Sequence, residues 1–257
     1  MRSKKVKAGT SAMRRYDELR REWLRRKRRL FLVVFVMLLL VAVAGNLLYL
    51  FILHNLYMAG VFTGMTIATF IALRQSTPDW VDNWMLGAEG EKRTQKQLDR
   101  LPSEWTVEHD IDTGHGNIDH LVTGPAGVFV LDSKFWGGPV TVQGDQAIIG
   151  RWGRQKPWVW DDARSVKSGA RQTAQRIRAN THITQWIQPV VVVWAEFEAG
   201  TGGDSCHFVA GSQLVEWLLA QPATIHPSVL PRIAAAAGEA WTRRATDPVT
   251  SIAPADD

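Results

Sequence analysis

Two aspartates and a lysine stand at spacings that suit metal-assisted chemistry. Asp119 lies in one predicted strand, Asp132 and Lys134 lie in the next, and the Gly-Pro-Ala-Gly turn at 124–127 predicts a tight hairpin between them. A hairpin centred on that turn places Asp119 opposite Asp132. Lys134 is two residues beyond Asp132 and therefore points to the same face. A bulge at Gly127 would shift this register by one residue.

Two carboxylates and one ammonium group on one face allow two interpretations. A hard divalent cation such as Mg²⁺ takes oxygen ligands, offsets the repulsion between the carboxylates and keeps positions for water and a phosphate oxygen. Lys134 would then orient or deprotonate the attacking water, or neutralise charge on the scissile phosphate. In the second interpretation Lys134 only neutralises the aspartates as an ordinary cross-strand ion pair. The first interpretation predicts phosphodiester hydrolysis, and the spacing alone does not decide between the two.

The pattern after Arg74 predicts one mixed α/β domain that positions these residues. Strand patterns cover 105–111, 117–123, 128–135, a less regular segment at 139–149 and the apolar run at 188–195. Helical patterns cover 79–101 with a break near Gly87 and Gly90, then 161–180, 211–220 and 228–243. About 180 residues are enough to bury a sizeable core.

This ordered set of motifs resembles the nuclease-related (NERD) domain. The resemblance covers roughly residues 85 to 195, and a combination of segments is far more specific than a lone Asp-x-Lys. The segments are GAEGE at 87–91, GNIDH at 116–120, GPAGVFV at 124–130 and LDSK at 131–134. The resemblance implies the fold of the PD-(D/E)xK nuclease superfamily, which is an α/β, restriction-endonuclease-like mixed sheet flanked by helices.

The resemblance also implies a role for each matching residue. Glu91 is the acidic residue on the helix, Asp119 is the metal-binding aspartate, and Asp132 with Lys134 forms the (D/E)xK pair. These four residues are the expected catalytic set. The expected ligands of Mg²⁺ or Mn²⁺ are Asp119, Asp132, the backbone carbonyl of Ser133 and Glu91. Position 132 has Asp rather than Glu, which the pattern allows but which shortens the reach by one methylene.

Auxiliary and binding residues are expected on the helix at 161–180. Many members of the superfamily place a Gln on the helix that follows the motif, and Gln172 or Gln175 fits that role. The same helix carries basic residues at near-helical spacing, which either track the phosphates of nucleic acid or form an ordinary solvated face. They are Arg164, Lys167, Arg171 and Arg178. The implied partner is nucleic acid, with DNA as the expected substrate.

Two further clusters have weaker functional signatures. The segment 152–160 interleaves Trp with Arg and Lys as a stacking surface would, although core packing or contact with a membrane interface explains these tryptophans equally well. A second cluster lacks the ligand spacing of a zinc site, so structural roles are favoured for its members. These members are His109, Asp110, Asp112, His115 and His120. The single cysteine, Cys206, indicates a reducing compartment.

The charge distribution sets the N-terminus apart from the rest of the chain. Residues 1–29 hold 13 of the 30 Lys and Arg but 3 of the 25 Asp and Glu, whereas the whole chain has a net charge of +5. The remainder is therefore acidic, which disfavours tight nonspecific binding of DNA. The basic arm could bind nucleic acid, but its position beside an apolar segment favours contact with anionic lipid.

Residues 30–73 contain no Asp, Glu, Lys or Arg and are long enough for two membrane spans. We predict spans at about 30–53 and 56–73, with the turn at 54–55 or, alternatively, at 45–46. Basic residues flank both spans, so both termini are expected in the cytoplasm. A cleaved secretory signal is the alternative, and the second apolar segment argues against it.

The sequence thus predicts a membrane-tethered enzyme in four parts. They are a basic cytoplasmic arm at 1–29, a transmembrane hairpin at 30–73, a nuclease-like domain at 76–245 and a disordered acidic tail at 246–257. The expected activity is metal-dependent hydrolysis of nucleic-acid phosphodiester bonds at the cytoplasmic face of the cell membrane. The alternative is a non-catalytic, membrane-tethered nucleic-acid-binding or signalling module with the same fold.

Overall fold

The structure, a computed structural model, describes residues 7–52, 56–76, 78–114, 116–150, 156–197 and 205–242. The chain divides into two compact units, one of residues 1–11 and 86–257 and the other of residues 12–85. The predicted turn at 54–55, His115, the start of the Trp-rich segment and the acidic tail at 246–257 lie outside the described residues.

The strands form two sheets. They are β1 (Thr106–Asp112), β2 (Asn117–Gly124), β3 (Gly127–Phe135), β4 (Val140–Gln143), β5 (Gln146–Ile149), β6 (Trp158–Trp160), β7 (Ile187–Trp194) and β8 (His207–Ala210). The main sheet has five strands in the order β1-β2-β3-β7-β8, and the smaller sheet has three in the order β4-β5-β6. In the main sheet β1, β2 and β3 are antiparallel, whereas β3, β7 and β8 are parallel. The main sheet is therefore mixed.

Seven α-helices accompany the sheets in the described part of the chain. They are α1 (Thr10–Arg26), α2 (Arg28–Leu47), α3 (Leu56–Gln75), α4 (Asp79–Leu98), α5 (Ala163–Thr181), α6 (Leu214–Ala220) and α7 (Leu230–Thr242). Both faces of the main sheet are covered, because alternate side chains of each buried strand point to opposite sides. Val128 and Val130 pack in a core with residues of α5 and α7, and Phe129 and Leu131 pack in a second core with residues of α4 and α6.

This architecture confirms the predicted fold class, a mixed sheet flanked by helices. The predicted break near Gly87 and Gly90 is wrong, because α4 runs through both glycines. Gly90 has a packing reason to be there, since an added Cβ would lie 3.3 Å from the Cβ of Phe135. The irregular segment at 139–149 is the hairpin of β4 and β5. The short strands β6 and β8 were not predicted.

The second unit contains two long apolar helices. Both α2 and α3 are 20 residues long and apolar enough to cross a membrane, and almost none of either helix is buried within the protein. Large apolar side chains such as Leu32 and Met65 are 63% and 65% exposed, which is the kind of surface that a bilayer covers. The alternative turn at 45–46 is wrong, because α2 continues to Leu47.

The contacts between helices α2 and α3 include a polar pair, an aromatic pair of Phe35 and Phe70 with ring centroids 5.3 Å apart, and a close approach at Gly45. The side-chain amide of Asn46 donates a hydrogen bond of 2.8 Å to Thr63 Oγ1. A Cβ at Gly45 would collide with the ring of Phe62 where that ring now lies, so glycine admits the ring at this contact. Small residues and side-chain hydrogen bonds are typical of helix pairs in membranes.

Candidate active site on the β2–β3 hairpin

The hairpin of β2 and β3 has the predicted register. Gly124 pairs with Gly127, and the ladder continues without a bulge to His120 opposite Leu131. The next position along the two strands brings Asp119 beside Asp132. A two-residue loop is the reason that this register could be predicted, because such a short turn fixes which residues face each other.

The turn of this hairpin is held from outside the hairpin. Backbone N–H groups of Thr224 and Ile225 donate to the carbonyl oxygen of Pro125 at 2.9 and 3.0 Å. The hydroxyl of Thr224 donates to the carbonyl oxygen of Ala126 at 2.9 Å. These bonds satisfy turn carbonyls that the β-ladder leaves unpaired.

Asp119, Asp132 and Lys134 meet at the end of the hairpin away from the turn. Lys134 Nζ lies 2.8 Å from Asp132 Oδ1. The backbone N–H of Ser133 donates to Asp119 Oδ2, also at 2.8 Å, so the carboxyl group of Asp119 takes the place of a ladder acceptor. Asp132 and Lys134 share the face of Val130, which α5 and α7 cover. The predicted convergence of two carboxylates and an ammonium group is therefore observed.

Glu91 reaches this group from α4. Its side chain is 6% exposed, and its Oε2 accepts a hydrogen bond of 2.8 Å from the backbone N–H of Gly9. Burial raises the pKa of Glu91 to about 7, the Gly9 bond opposes that rise, and the charges of Asp110 and Asp132 add to it. Glu91 is thus close enough to sense the aspartates and titrates near neutral pH.

The pKa values of Asp119 and Lys134 indicate that acidic groups outnumber basic ones at this site. Burial and the carboxylates of Asp132 and Glu91 raise the pKa of Asp119 well above its usual range. Burial alone would lower the pKa of Lys134, but Asp132 and Asp119 outweigh it and raise the pKa above its usual value. Lys134 is therefore an ammonium ion at neutral pH, and one cation faces three carboxylates.

Asp110 is a fourth carboxylate at this site and was not predicted as a functional residue. It has a left-handed backbone conformation with φ of 55°, which Asp tolerates better than most residues. Its two oxygens accept hydrogen bonds from Asn117 Nδ2 at 2.8 Å and from the backbone N–H of Ser11 at 2.9 Å. In the sequence, Asp110 was noted only as part of the cluster of His and Asp residues. Nothing in that pattern indicated that Asp110, rather than Asp112, would lie at the site.

A buried hydrogen-bonded chain lies behind the motif on the opposite face of the sheet. Ser133 Oγ donates to Thr94 Oγ1 on α4 at 2.8 Å and lies 3.1 Å from His120 Nε2. His120 Nδ1 lies 2.7 Å from His109 Nδ1, and Trp194 Nε1 donates to Thr94 Oγ1 at 2.8 Å. Burial and the charge of His109 lower the pKa of His120, so its ring is neutral. The chain ties α4, which carries Glu91, to the strand that carries Asp132 and Lys134.

Replacing Thr94 by Val should destabilise the protein by about 1 to 3 kcal/mol, because the Ser133 hydroxyl and the Trp194 indole N–H lose a buried partner. Urea unfolding followed by tryptophan fluorescence measures the effect. Thr173→Val is the matched control, since Thr173 is also buried and its hydroxyl donates to the carbonyl oxygen of Gly169 on its own helix at 2.9 Å. Equal stabilities for the two variants would contradict a structural role for the chain.

The residues that were predicted on α5 to assist catalysis or to bind nucleic acid differ in their contacts and exposure. Gln172 donates to Ser168 Oγ at 3.3 Å on the same helix, and Gln175 is exposed. Lys167 is engaged in an ion pair of 2.8 Å with Asp145, which lowers the pKa of that aspartate. The other three predicted basic residues are exposed on α5. They are Arg164, Arg171 and Arg178. Their role in binding nucleic acid remains a prediction.

The carboxylate group suits a divalent cation by its chemistry. Carboxylate oxygens are the ligands that Mg²⁺ and Mn²⁺ favour, and a cation would offset the burial and the repulsion that together raise the pKa of Asp119. In the described part of the chain, however, no three His, Cys, Asp or Glu side chains converge closely enough to hold one ion as they stand. Lys134 occupies one oxygen of Asp132, and Gly9 occupies one oxygen of Glu91.

The fold and site define a mixed α/β domain with an Asp-x-Lys motif on a hairpin strand and a second aspartate beside it. Residues 86–194 match the family model of the nuclease-related domain (NERD). The matched residues include most of α4, the β2–β3 hairpin and β7. Comparison with curated proteins and with solved structures gives no match.

Proposed function

We propose that this chain is a membrane-anchored, metal-dependent nuclease that hydrolyses phosphodiester bonds of nucleic acid, with DNA as the first substrate to test. The observation that carries the proposal is the meeting of Asp119, Asp132 and Lys134 on one hairpin, with Glu91 beside them, inside a nuclease-related domain. A hydrolytic site of this kind needs carboxylates for a cation and a fixed positive charge near the phosphate.

In this proposal Asp119, Asp132, Glu91 and the backbone carbonyl of Ser133 hold Mg²⁺ or Mn²⁺. The cation supplies Lewis-acid activation of the phosphate and of the attacking water. Lys134 acts as an ammonium ion, because its pKa is raised and not lowered. It therefore neutralises charge that develops on the scissile phosphate, and it is poorly suited to take a proton from water.

The test is cleavage by the full chain in detergent micelles. Supercoiled plasmid, linear duplex, single-stranded DNA and RNA are each incubated with Mg²⁺, Mn²⁺ or EDTA. The proposal predicts cleavage of at least one substrate with a cation and none with EDTA. Folded protein that binds Mn²⁺ but cuts none of the four substrates would contradict it.

A second candidate function is a non-catalytic binding or signalling module. The observation in its favour is that Lys134 pairs with Asp132 while the carboxylates do not converge as cation ligands. A module of this kind would bind nucleic acid equally well with Mg²⁺ and with EDTA. The same cleavage experiment, with binding measured beside it, separates the two functions.

We further propose that α2 and α3 form a transmembrane hairpin with both ends in the cytoplasm. The apolar surfaces of these helices support the proposal, and the basic residues next to them favour this orientation. The basic arm would then lie against anionic lipid.

This topology makes a prediction for reporter fusions in cells. A fluorescent reporter fused after Asp257 should fluoresce in the cytoplasm, and a phosphatase that needs an oxidising compartment should be inactive at that position. A phosphatase inserted between α2 and α3 should instead be active. Activity after Asp257 together with inactivity between the helices would invert the proposed orientation.

A further inference from the structure

The N-terminal segment Lys7–Ser11, here called the strap, lies on the acidic site. The backbone N–H of Gly9 donates to Glu91 Oε2 at 2.8 Å, and the backbone N–H of Ser11 donates to Asp110 Oδ2 at 2.9 Å. The backbone N–H of Ala8 donates to Gln95 Oε1 at 3.1 Å. Three backbone donors within four residues thus bind side chains at or next to the site, and two of these side chains are carboxylates.

The strap is fitted closely to α4. Ala8 is 3% exposed, and Gly9 has a left-handed conformation with φ of 73°. A Cβ at Gly9 would lie 2.9 Å from the carbonyl oxygen of Ala88, one turn before Glu91. Only glycine fits there without strain. The small residues Ala8 and Gly9 therefore allow the strap to pack closely against α4.

We infer that the strap is an autoinhibitory clasp, which holds Glu91 and Asp110 in hydrogen bonds to the main chain and competes with a divalent cation for these carboxylates. This inference deepens the proposed function and rests on it for its consequence for cleavage. Bound amides neutralise part of the carboxylate charge and occupy oxygens that a cation would need. Release of the strap frees Glu91, one of the ligands proposed above, and adds Asp110 to the carboxylates that a cation can reach.

The clasp gives a reason for the arrangement of the carboxylates. With Gly9 on Glu91, no three described acidic side chains converge on one point. The strap is directly continuous with α1, which begins at Thr10 and is rich in basic residues.

Two variants release the strap by different means. Gly9→Ala introduces the close contact with Ala88 and an unfavourable φ, and Ser11→Pro removes the N–H that binds Asp110. Proline is tolerated at Ser11 because this residue is in the first turn of α1. The matched controls are Gly87→Ala, whose added Cβ meets nothing within 4 Å, and Ser11→Ala, which keeps the backbone donor.

The experiment measures Mn²⁺ affinity of the full chain in detergent micelles, together with hydrogen exchange of residues 7–12. Gly9→Ala and Ser11→Pro should bind Mn²⁺ about tenfold more tightly than the unaltered chain, and the controls should not differ from it. Exchange in residues 7–12 should be slow in EDTA and faster with Mn²⁺. Unchanged or weaker affinity in both release variants would overturn the clasp, as would absence of Mn²⁺ binding in every variant.

Cleavage assays on the same variants separate the clasp from the nuclease proposal. Tighter Mn²⁺ binding in the release variants without cleavage of any nucleic acid supports the clasp and contradicts the nuclease. Cleavage by the unaltered chain, with exchange of residues 7–12 insensitive to Mn²⁺, supports the nuclease and overturns the clasp. Faster cleavage in both release variants than in their controls supports both.

Discussion

Asp132→Asn is expected to lower the rate of nucleic-acid cleavage at least about a thousandfold, while the protein folds and binds nucleic acid as before. The asparagine oxygen can still accept the bond from Lys134 at 2.8 Å, so the hairpin keeps its contact. What is lost is the negative charge that a cation requires. Lys134→Met should cause a loss of similar size, because the charge of Lys134 acts on both Glu91 and Asp119. Steady-state cleavage in saturating Mn²⁺ measures both effects.

The controls are variants that make the same kind of substitution, one at an aspartate and one at a lysine, outside the site. Asp112→Asn removes an exposed carboxylate whose oxygen accepts from the backbone N–H of Gly114, which asparagine preserves. Lys96→Met removes an exposed ammonium group on α4. Both should cleave within about threefold of the unaltered chain, as surface changes usually do little. If Asp132→Asn cleaves at a rate comparable with Asp112→Asn, the pair of Asp132 and Lys134 is structural.

Glu91→Gln is expected to stabilise the protein by about 3 kcal/mol at pH 8 without a cation, while it weakens Mn²⁺ binding. The pKa of Glu91 is about 7 in the folded chain against an ordinary 4.5. The folded state therefore binds a proton more tightly than the unfolded state. The resulting stability is present below about pH 4.5 and is lost as the pH rises to 7. Glutamine keeps an acceptor for Gly9 and has no charge to bury.

Urea unfolding in EDTA at pH 5, 6, 7 and 8 measures this dependence. The difference between Glu91→Gln and the unaltered chain should be small at pH 5 and should grow with each step in pH. Glu89→Gln is the matched control on the same helix, since Glu89 and Arg93 form an ion pair whose side chains are each 47% exposed. Its effect should stay within about 1 kcal/mol at every pH. A flat difference across the pH range would show that Glu91 does not titrate as described.

The same carboxylate makes cation binding depend on pH. A proton on Glu91 competes with the cation, so Mn²⁺ affinity should rise as the pH increases through about 7. Ionised Glu91 lowers the free energy of unfolding in the absence of a cation, and binding of a cation restores it. A functional site that destabilises its own fold is a common compromise in enzymes.

The hairpin that carries the site was predictable because its geometry is local. A two-residue loop leaves one register, and strand alternation then places Asp119, Asp132 and Lys134 on one face. The loop between β1 and β2 is longer, so no comparable rule fixed the position of Asp110. Its carboxyl group accepts hydrogen bonds from Asn117 and from the distant Ser11, and no local pattern reveals the second of these contacts.

The contacts that support the site join distant parts of the chain, and this is why the sequence did not predict them. Thr94 and Ser133 are 39 residues apart, and Gly9 and Glu91 are 82 apart.

The wrongly predicted break in α4 also arises from packing between distant parts of the chain. Gly90 resembles a helix breaker in the sequence, but its missing side chain admits Phe135 against the helix. Tertiary packing outweighs the local cost of about 1 kcal/mol for glycine in a helix.

The bonds from Thr224 and Ile225 to the hairpin turn have a consequence for synthesis on the ribosome. Thr224 lies 98 residues after Ala126, whose carbonyl its hydroxyl bonds. The two aspartate-bearing strands therefore emerge long before the residues that complete their turn. Because domains fold as units during translation, a nascent chain that ends before Thr224 lacks the hydrogen bonds that hold this turn from outside the hairpin. The order of translation therefore delays the outside support of this turn until nearly the whole domain has been made.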